Sequence, residues 1–443
     1  MSFSLVALLG LLFVDSADAA TADYVGTEFV QVKPALSIGG EYRSNLYLNS
    51  SKILEDTSGN PILDADGNQQ TAEEIVPGTA ILFNPTIEVK SKTQALVVDV
   101  GAGYGAKMFV SEEQQNLNSF GEAALEANVR VAPRSSVGIL VGDKLLSSYR
   151  PATEDGSGNE GSSLLRVIEN RGMGSAVLGN DIIDLSLGGI YNYQQVYSTL
   201  EEREINQRNT TGGSVRVNWQ FLPKTDLYFN SSYIKNDWTT DLITTNDEGE
   251  NCEVDCAIEV ADSTMWNGSV GMKGQITPKT LIRLSLGTGG ASYETLFSST
   301  EVNSSDDGIS PVEGLRGAVG MKYYPTPYQT VTVDVKREFQ DVYFTNYKIL
   351  HQLNLGHTIE FDHRVGLDTN FVYRHDNYDG PVDRSDHRFA ASFETVFKLS
   401  PRLDFDAGVN WRRLDTEGPE STIDYDDVGV TFNLRYGYNE TPK

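Results

Sequence analysis

Residues 427–438 read DVGVTFNLRYGY. Val428, Val430, Phe432, Leu434, Tyr436 and Tyr438 take the even positions, and Gly429, Thr431, Asn433, Arg435 and Gly437 the odd ones. A β-strand sends successive side chains to opposite faces, so this segment is apolar on one face and polar on the other. Such a strand fits two settings. One is a soluble sheet with a protein core behind it and water in front; the other is a membrane barrel with lipid outside and water inside.

The same alternation recurs along the chain. Leu96, Val98, Val100, Ala102 and Tyr104 alternate with Val97, Asp99, Gly101 and Gly103; Val331, Val333, Val335 and Phe339 alternate with Thr332, Asp334, Lys336 and Glu338. Leu403, Phe405, Ala407, Val409 and Trp411 alternate with Asp404, Asp406, Asn410 and Arg412. The period is two and not 3.6, so the chain is nearly all β. Tight turns such as LPKT at 222, TPKT at 277 and LSPR at 399 alternate with longer acidic connections such as SSYRPATEDGSGNEGSS and NDEGENCEVDCAIEVADS. Strict alternation of that kind puts every tight turn at one end of the sheet and every long loop at the other. About eighteen strands result, among them 136–146, 165–178, 211–221 and 364–375.

Aromatic residues and charges separate the two settings. Tyr42, Tyr104, Tyr191, Trp219, Tyr233, Trp266, Tyr323, Tyr373, Trp411 and Tyr438 share the apolar parity and sit mostly towards segment ends. Trp and Tyr prefer the headgroup level at both edges of a membrane. The other parity carries too many charges for a protein core, because unpaired buried charges cost several kcal/mol each. The strands also have the length of membrane strands, about ten residues or more. The expected fold is therefore all-β: a single transmembrane antiparallel barrel of about eighteen strands, with short periplasmic turns and long acidic extracellular loops, in the outer membrane of a Gram-negative bacterium.

The 443 residues hold no linker or composition break, and Asp plus Glu outnumber Lys plus Arg 62 to 35, a formal charge of -27. Such acidity excludes nucleic acid as a partner, since phosphate backbones reward a basic surface. Residues 4–14, SLVALLGLLFV, are too short to cross a bilayer as a helix and precede Ala17-Asp18-Ala19, an A-x-A cleavage pattern. The expected organisation is a signal peptide at 1–19 and a barrel over 20–443. Cys252 and Cys256 are the two cysteines; their C-x3-C spacing without further ligands is a poor zinc site, and in an exported chain a disulfide is expected.

No catalytic, cofactor-binding or metal-ligating constellation stands out. Of the five histidines, His363 and His375 fall in expected connections and His351, His357 and His387 near segment ends. The acidic stretch DADGNQQTAEE lacks the full calcium-loop spacing. A barrel of sixteen to eighteen strands encloses an aqueous channel. Its lining candidates are Lys107, Arg130, Arg283, Arg388, Asp404, Asp406, Arg412 and Arg435, with Arg166 on the same parity. They read either as a solvated wall of cross-strand ion pairs or as a lining, neutral on average, that hydrogen-bonds a polar cargo without trapping it.

Several stretches carry a family resemblance. FVQVKPALSIGGEYRSNLYLNSS (29–51), with Tyr42, Asn45, Leu46 and Tyr47 entering the first loop, resembles the opening of the β-barrel porin 2 family, with Ser44 where that family usually has Asp. AILFNPTIEVKSKTQALVVDVGAGYGAKMF (80–109), with Pro85 in the strand, is similar to its second hairpin, and KLSPRLDFDAGVNWRR (398–413) and YDDVGVTFNLRYGY (425–438) to its closing strands. The resemblance implies an outer-membrane barrel encoded with exopolysaccharide genes. It implies passage of exopolysaccharide or capsular polysaccharide, contact with lipid and lipopolysaccharide, and a periplasmic polysaccharide-export protein as partner. It supplies no catalytic residues and no cofactor. The alternative function is a general diffusion porin for small polar solutes.

Overall fold

The computed structural model describes residues 25–26, 30–46, 76–93, 95–110, 121–132, 136–151, 164–180, 182–198, 204–239, 241–243, 257–259, 262–293, 312–342, 345–361, 364–379, 384–418 and 424–437. The signal-peptide segment, Tyr47 and the pair Cys252 and Cys256 lie outside them.

β1 (Val25–Gly26) is a short bridge onto β2 (Val30–Arg43). There follow β3 (Gly78–Lys92), β4 (Leu96–Phe109), β5 (Gly121–Val131), β6 (Val137–Pro151), β7 (Leu164–Gly179), β8 (Ile183–Ser198), β9 (Glu204–Leu222) and β10 (Thr225–Trp238). A small hairpin of β11 (Asp241–Ile243) and β12 (Ala257–Glu259) stands between β10 and the second half. That half comprises β13 (Ser263–Thr277), β14 (Thr280–Tyr293), β15 (Val312–Tyr323), β16 (Gln329–Val342) and β17 (Thr345–Phe361). It ends with β18 (Val365–Asp379), β19 (Ser385–Ser400), β20 (Leu403–Glu417) and β21 (Tyr425–Gly437).

Each strand from β2 to β10 and from β13 to β21 pairs antiparallel with its neighbour in sequence, and β2 pairs with β21. The result is a closed eighteen-stranded barrel. Closure satisfies the backbone N–H and C=O groups within the ring, which is the condition for a sheet to stand in hydrocarbon. Its strands run from eleven residues in β5 to nineteen in β9, enough to cross a bilayer at a tilt of about 45°.

Register carries one parity unbroken round the ring. Ile38, Ile81, Val141, Leu187, Phe229, Val270, Leu286, Val319, Val335, Leu355, Phe393, Val409 and Phe432 are exposed, and all point to the same side. The opposite side is concave. Lys107 on β4 reaches Glu41 on β2 at 2.6 Å, across the intervening β3. The apolar parity therefore faces lipid and the polar parity faces the lumen. Aromatics ring both ends of the outer face. Tyr42, Tyr104, Tyr191, Tyr233, Trp266, Tyr373 and Trp411 lie towards the long-loop end, and Trp219, Phe221, Tyr323, Phe361, Phe397 and Tyr436 towards the short-turn end.

The expected alternation of short and long connections needs correction at the loop end. Between β16 and β17 only residues 343–344 intervene, and between β8 and β9 only 199–203. Strand pairing continues into stretches read as loop: β9 begins at Glu204, not 211, and β18 runs to Asp379, not 375. His375 is accordingly inside β18 and not in a connection. Arg166 is also displaced from its expected place. Its Cα partners are Tyr149 and Tyr197, on the outward parity of β6 and β8, so it does not line the lumen. The reason is local: Leu165, Val167 and Val196 form an inward apolar cluster there, reversing the usual sense of the pattern.

Candidate functional site: the lumen wall

Register places Lys107, Arg130, Arg283, Arg388, Asp404, Asp406, Arg412 and Arg435 on the lumen side. They are not brought into one cluster. Lys107 ties to Glu41, Arg435 to Asp404 at 3.2 Å, and Arg412 approaches Asp427 at 3.8 Å. Arg130 and Arg283 are exposed to the channel on the other strands.

Around the β21–β2 seam the wall is stitched by three acids with no solvent exposure: Asp376, Asp386 and Asp427. Asp386 accepts from Arg384 through Nε at 2.6 Å and Nη2 at 2.8 Å, from the Tyr378 hydroxyl at 3.0 Å, from Arg388 at 3.1 Å and from Thr416 at 3.3 Å. Asp376 takes Arg374 at 2.7 Å and Lys348 at 3.3 Å. Asp427 binds Arg43 and accepts the Asn45 backbone N–H at 3.0 Å, joining the last strand to the end of the first. Each carboxylate meets at least one guanidinium and further donors, the arrangement that lets an ion pair stand away from water.

The sequence reading missed these acids. A signal for part of them exists: opposite charges two residues apart share a strand face. Arg374 with Asp376, Arg384 with Asp386, Lys336 with Glu338 and Lys90 with Glu88 all have that spacing and all pair, at 2.6–3.2 Å. No such spacing marks Asp427, whose partner Arg43 is 384 positions away.

Half the circumference away, the wall is built differently. Near the loop end a recess of about 380 Å³ is lined by Asn192, Arg208, Thr210, Asn236, Asn267 and Arg316, with Ile234 and Met265 among its apolar contacts. Asn236 is held by Thr210 at 2.8 Å and Ser263 at 3.0 Å. Towards the turn end, a second recess of about 390 Å³ lies among Asp184, Arg216, Asn218, Gln220, Asp226 and Lys273. Arg216 donates to Asn218 at 2.8 Å, Asn218 donates to Asp184 at 2.7 Å, and the Arg216 guanidinium lies over the Tyr228 ring. The two recesses share β8, β9, β10 and β13, so a polar track runs along this wall. Amides, hydroxyls and guanidiniums there offer both donors and acceptors. Among the described residues no group of three or more His, Cys, Asp or Glu side chains has the arrangement of a metal site.

A closed barrel with an apolar outer band, aromatic girdles and a polar interior defines the class: a porin-like barrel of the Gram-negative outer membrane. Residues 296–436 match the family described as "Putative beta-barrel porin 2", which bears out the resemblance over the closing strands; the opening motif at Tyr42 and Asn45 lies outside the matched part. No curated protein matches the chain. Among solved structures it is similar to the copper transporter OprC (10% identity, 93% of this chain and 81% of that one, TM-score 0.48). It is also similar to the FrpB iron transporter from Neisseria meningitidis, F5-1 variant (9%, 91% and 82%, 0.48). A third is the outer membrane protein opdK from Pseudomonas aeruginosa (9%, 92% and 99%, 0.44).

Proposed function

We propose that this barrel conducts exopolysaccharide or capsular polysaccharide out of the cell through its hydrated lumen, without catalysing a reaction on it. The observation that carries the reading is the polar track of β8–β13. Its paired donors and acceptors match the hydroxyls of a sugar chain, and the spread of weak contacts over two recesses suits a cargo that must also leave. A periplasmic polysaccharide-export protein would dock on the short-turn end and hand the polymer in.

The test is a deletion strain with its synthesis machinery intact. Polymer should vanish from outside the cell and return with the wild-type gene. It should stay reduced with Gly101→Trp, a lumen position where an added Cβ meets nothing within 4 Å. Gly287 would be a poor substitute, since a Cβ there runs into the Gly268 backbone oxygen. Normal polymer secretion with lost uptake of small polar solutes would replace export with general diffusion.

A further inference from the structure

Above the upper aromatic girdle, the outward face of β16–β20 changes character. Arg337 on β16 is the Cα partner of His351 on β17, His351 of His375 on β18, and His375 of His387 on β19. Four neighbouring strands thus present Arg, His, His and His in one row. The imidazole rings are in contact along it, with centroids 6.1 Å apart for His351 and His375 and 4.4 Å for His375 and His387. Directly beneath lie Val335, Leu353, Tyr373 and Phe389 on the same face. The Tyr373 hydroxyl is 2.9 Å from His387 Nδ1.

Height and charge identify what meets this row. His351 and His375 are each ten residues from the short-turn ends of their strands, Phe361 and Val365. At about 3.3 Å per residue and a tilt of about 40° that is about 25 Å, the height of the apolar band of an outer-membrane barrel. The row therefore stands where the hydrocarbon of the outer leaflet gives way to headgroups. At comparable places on β9, β13 and β14 the outward Thr211, Thr264 and Thr288 are neutral, and on β10 Lys235 is paired with Asp237 at 2.5 Å. The outward Arg166 of β7 donates to Ser147 at 3.5 Å, with no histidine beside it in its row. Among the described residues, acids bound the row at its β20–β21 side: Asp415 holds Arg413 at 2.7 Å, Glu417 is 3.9 Å from His387 Nε2, and Asp426 accepts from Trp411. In a chain of charge -27, the stretch from Arg337 through His351 to His375 is a concentration of N–H donors whose row partners are Gly317, one another and His387; the first carboxylate in the row is Asp415, the partner of His387 on β20.

We propose that this row binds the phosphate of an outer-leaflet phosphorylated glycolipid, the lipid A part of lipopolysaccharide. The acyl chains would lie along Val335, Leu353 and Leu355 and the phosphate would sit between Arg337 and His387. Arg337 supplies a guanidinium fork, and the three imidazoles supply N–H donors spaced along the strands, both suited to phosphate oxygens. The acids of β20 and β21 close that side to an anion and fix which way the headgroup lies. This binding is independent of what the lumen carries.

The test uses the full-length barrel in nanodiscs of phosphatidylcholine doped with bis-phosphorylated lipid A or with its dephosphorylated form. Bound lipid is counted by native mass spectrometry after exchange into detergent. Wild type should retain the phosphorylated form about tenfold over the dephosphorylated one, a difference of about 1.4 kcal/mol. The triple variant R337Q/H351Q/H375Q should lose that preference, and Lys235→Gln on another part of the rim should keep it. Arg337→Gln alone, expected to weaken it, serves if the triple variant fails the heat-modifiability check of a folded barrel. No preference in the wild type, an equal preference in a folded variant, or displacement of the lipid by inorganic phosphate alone overturns the proposal.

Discussion

The two walls of the lumen use the same residue types to opposite ends. At the seam, between β17 and β2, charges are drawn out of solvent and matched to one another: Asp376, Asp386 and Asp427 are fully buried beneath Arg, Lys and Tyr. Across the barrel, Arg216, Asn218, Asn267 and Arg316 line open recesses. A charged side chain in a pore is therefore no guide to cargo by itself. The seam charges hold the cylinder shut, and the recessed wall is left to touch what passes.

That contrast fails if the seam acids are dispensable, so the largest effect is expected there. Asp427→Ala leaves Arg43 and Arg412 beside an empty place and should cost about 3–5 kcal/mol, read as a fall in the denaturant midpoint of the folded barrel in detergent. Conductance of whatever barrel still folds should change little. Next comes a comparison of faces on one strand. Val333→Arg, pointing into lipid, should cost about 2–4 kcal/mol in the same assay, and Thr332→Arg, pointing into the lumen, far less. Equal losses would remove lipid from the outer face. The smallest stability effect belongs to the recess: Arg316→Gln and Asn267→Ala should each move stability by about 1 kcal/mol or less. They should nonetheless alter polymer-dependent blocking of single-channel current. A recess variant that lowers the stability of the barrel by several kcal/mol but leaves blocking of the folded channel intact would reverse the roles of the two walls.

The fold was legible wherever one face of a strand met lipid. β14 runs over Thr280–Tyr293, where Leu284 and Leu286 alternate with Ser285 and Gly287, because hydrocarbon tolerates no slip of register. Legibility stopped at the rim. In EINQRNT, the start of β9, Ile205 is the one apolar residue, too little for an alternating pattern, and the backbone ladder to β8, joined by β10 from Arg208 on, makes it a strand. His375 escaped notice as a wall residue for the same reason, and with it the row it joins. Among site residues, Lys107 and Arg435 were legible by parity. Arg43 and Asp427 were not, since their meeting depends on the barrel closing and on nothing near either of them in sequence. The recess eluded the sequence too, because Asn192, Asn236 and Asn267 come together only through three separate registers.

The β2–β21 pairing also sets an order in time. Ala35 to Arg43 must wait for Gly437 to Gly429, the far end of the chain, before nine of their residue pairs can form. Contacts of such separation are the slow ones in folding, since the ends of a long open chain must first find each other. Until β21 arrives, the sheet has two bare edges, each able to recruit a strand from another chain. Asp427 arrives on the same strand that completes the ring, carrying with it the partner of Arg43. The residues that latch the cylinder are thus among the last to be made, and a chain truncated before Tyr425 should accumulate as an unfinished sheet and not as a smaller pore.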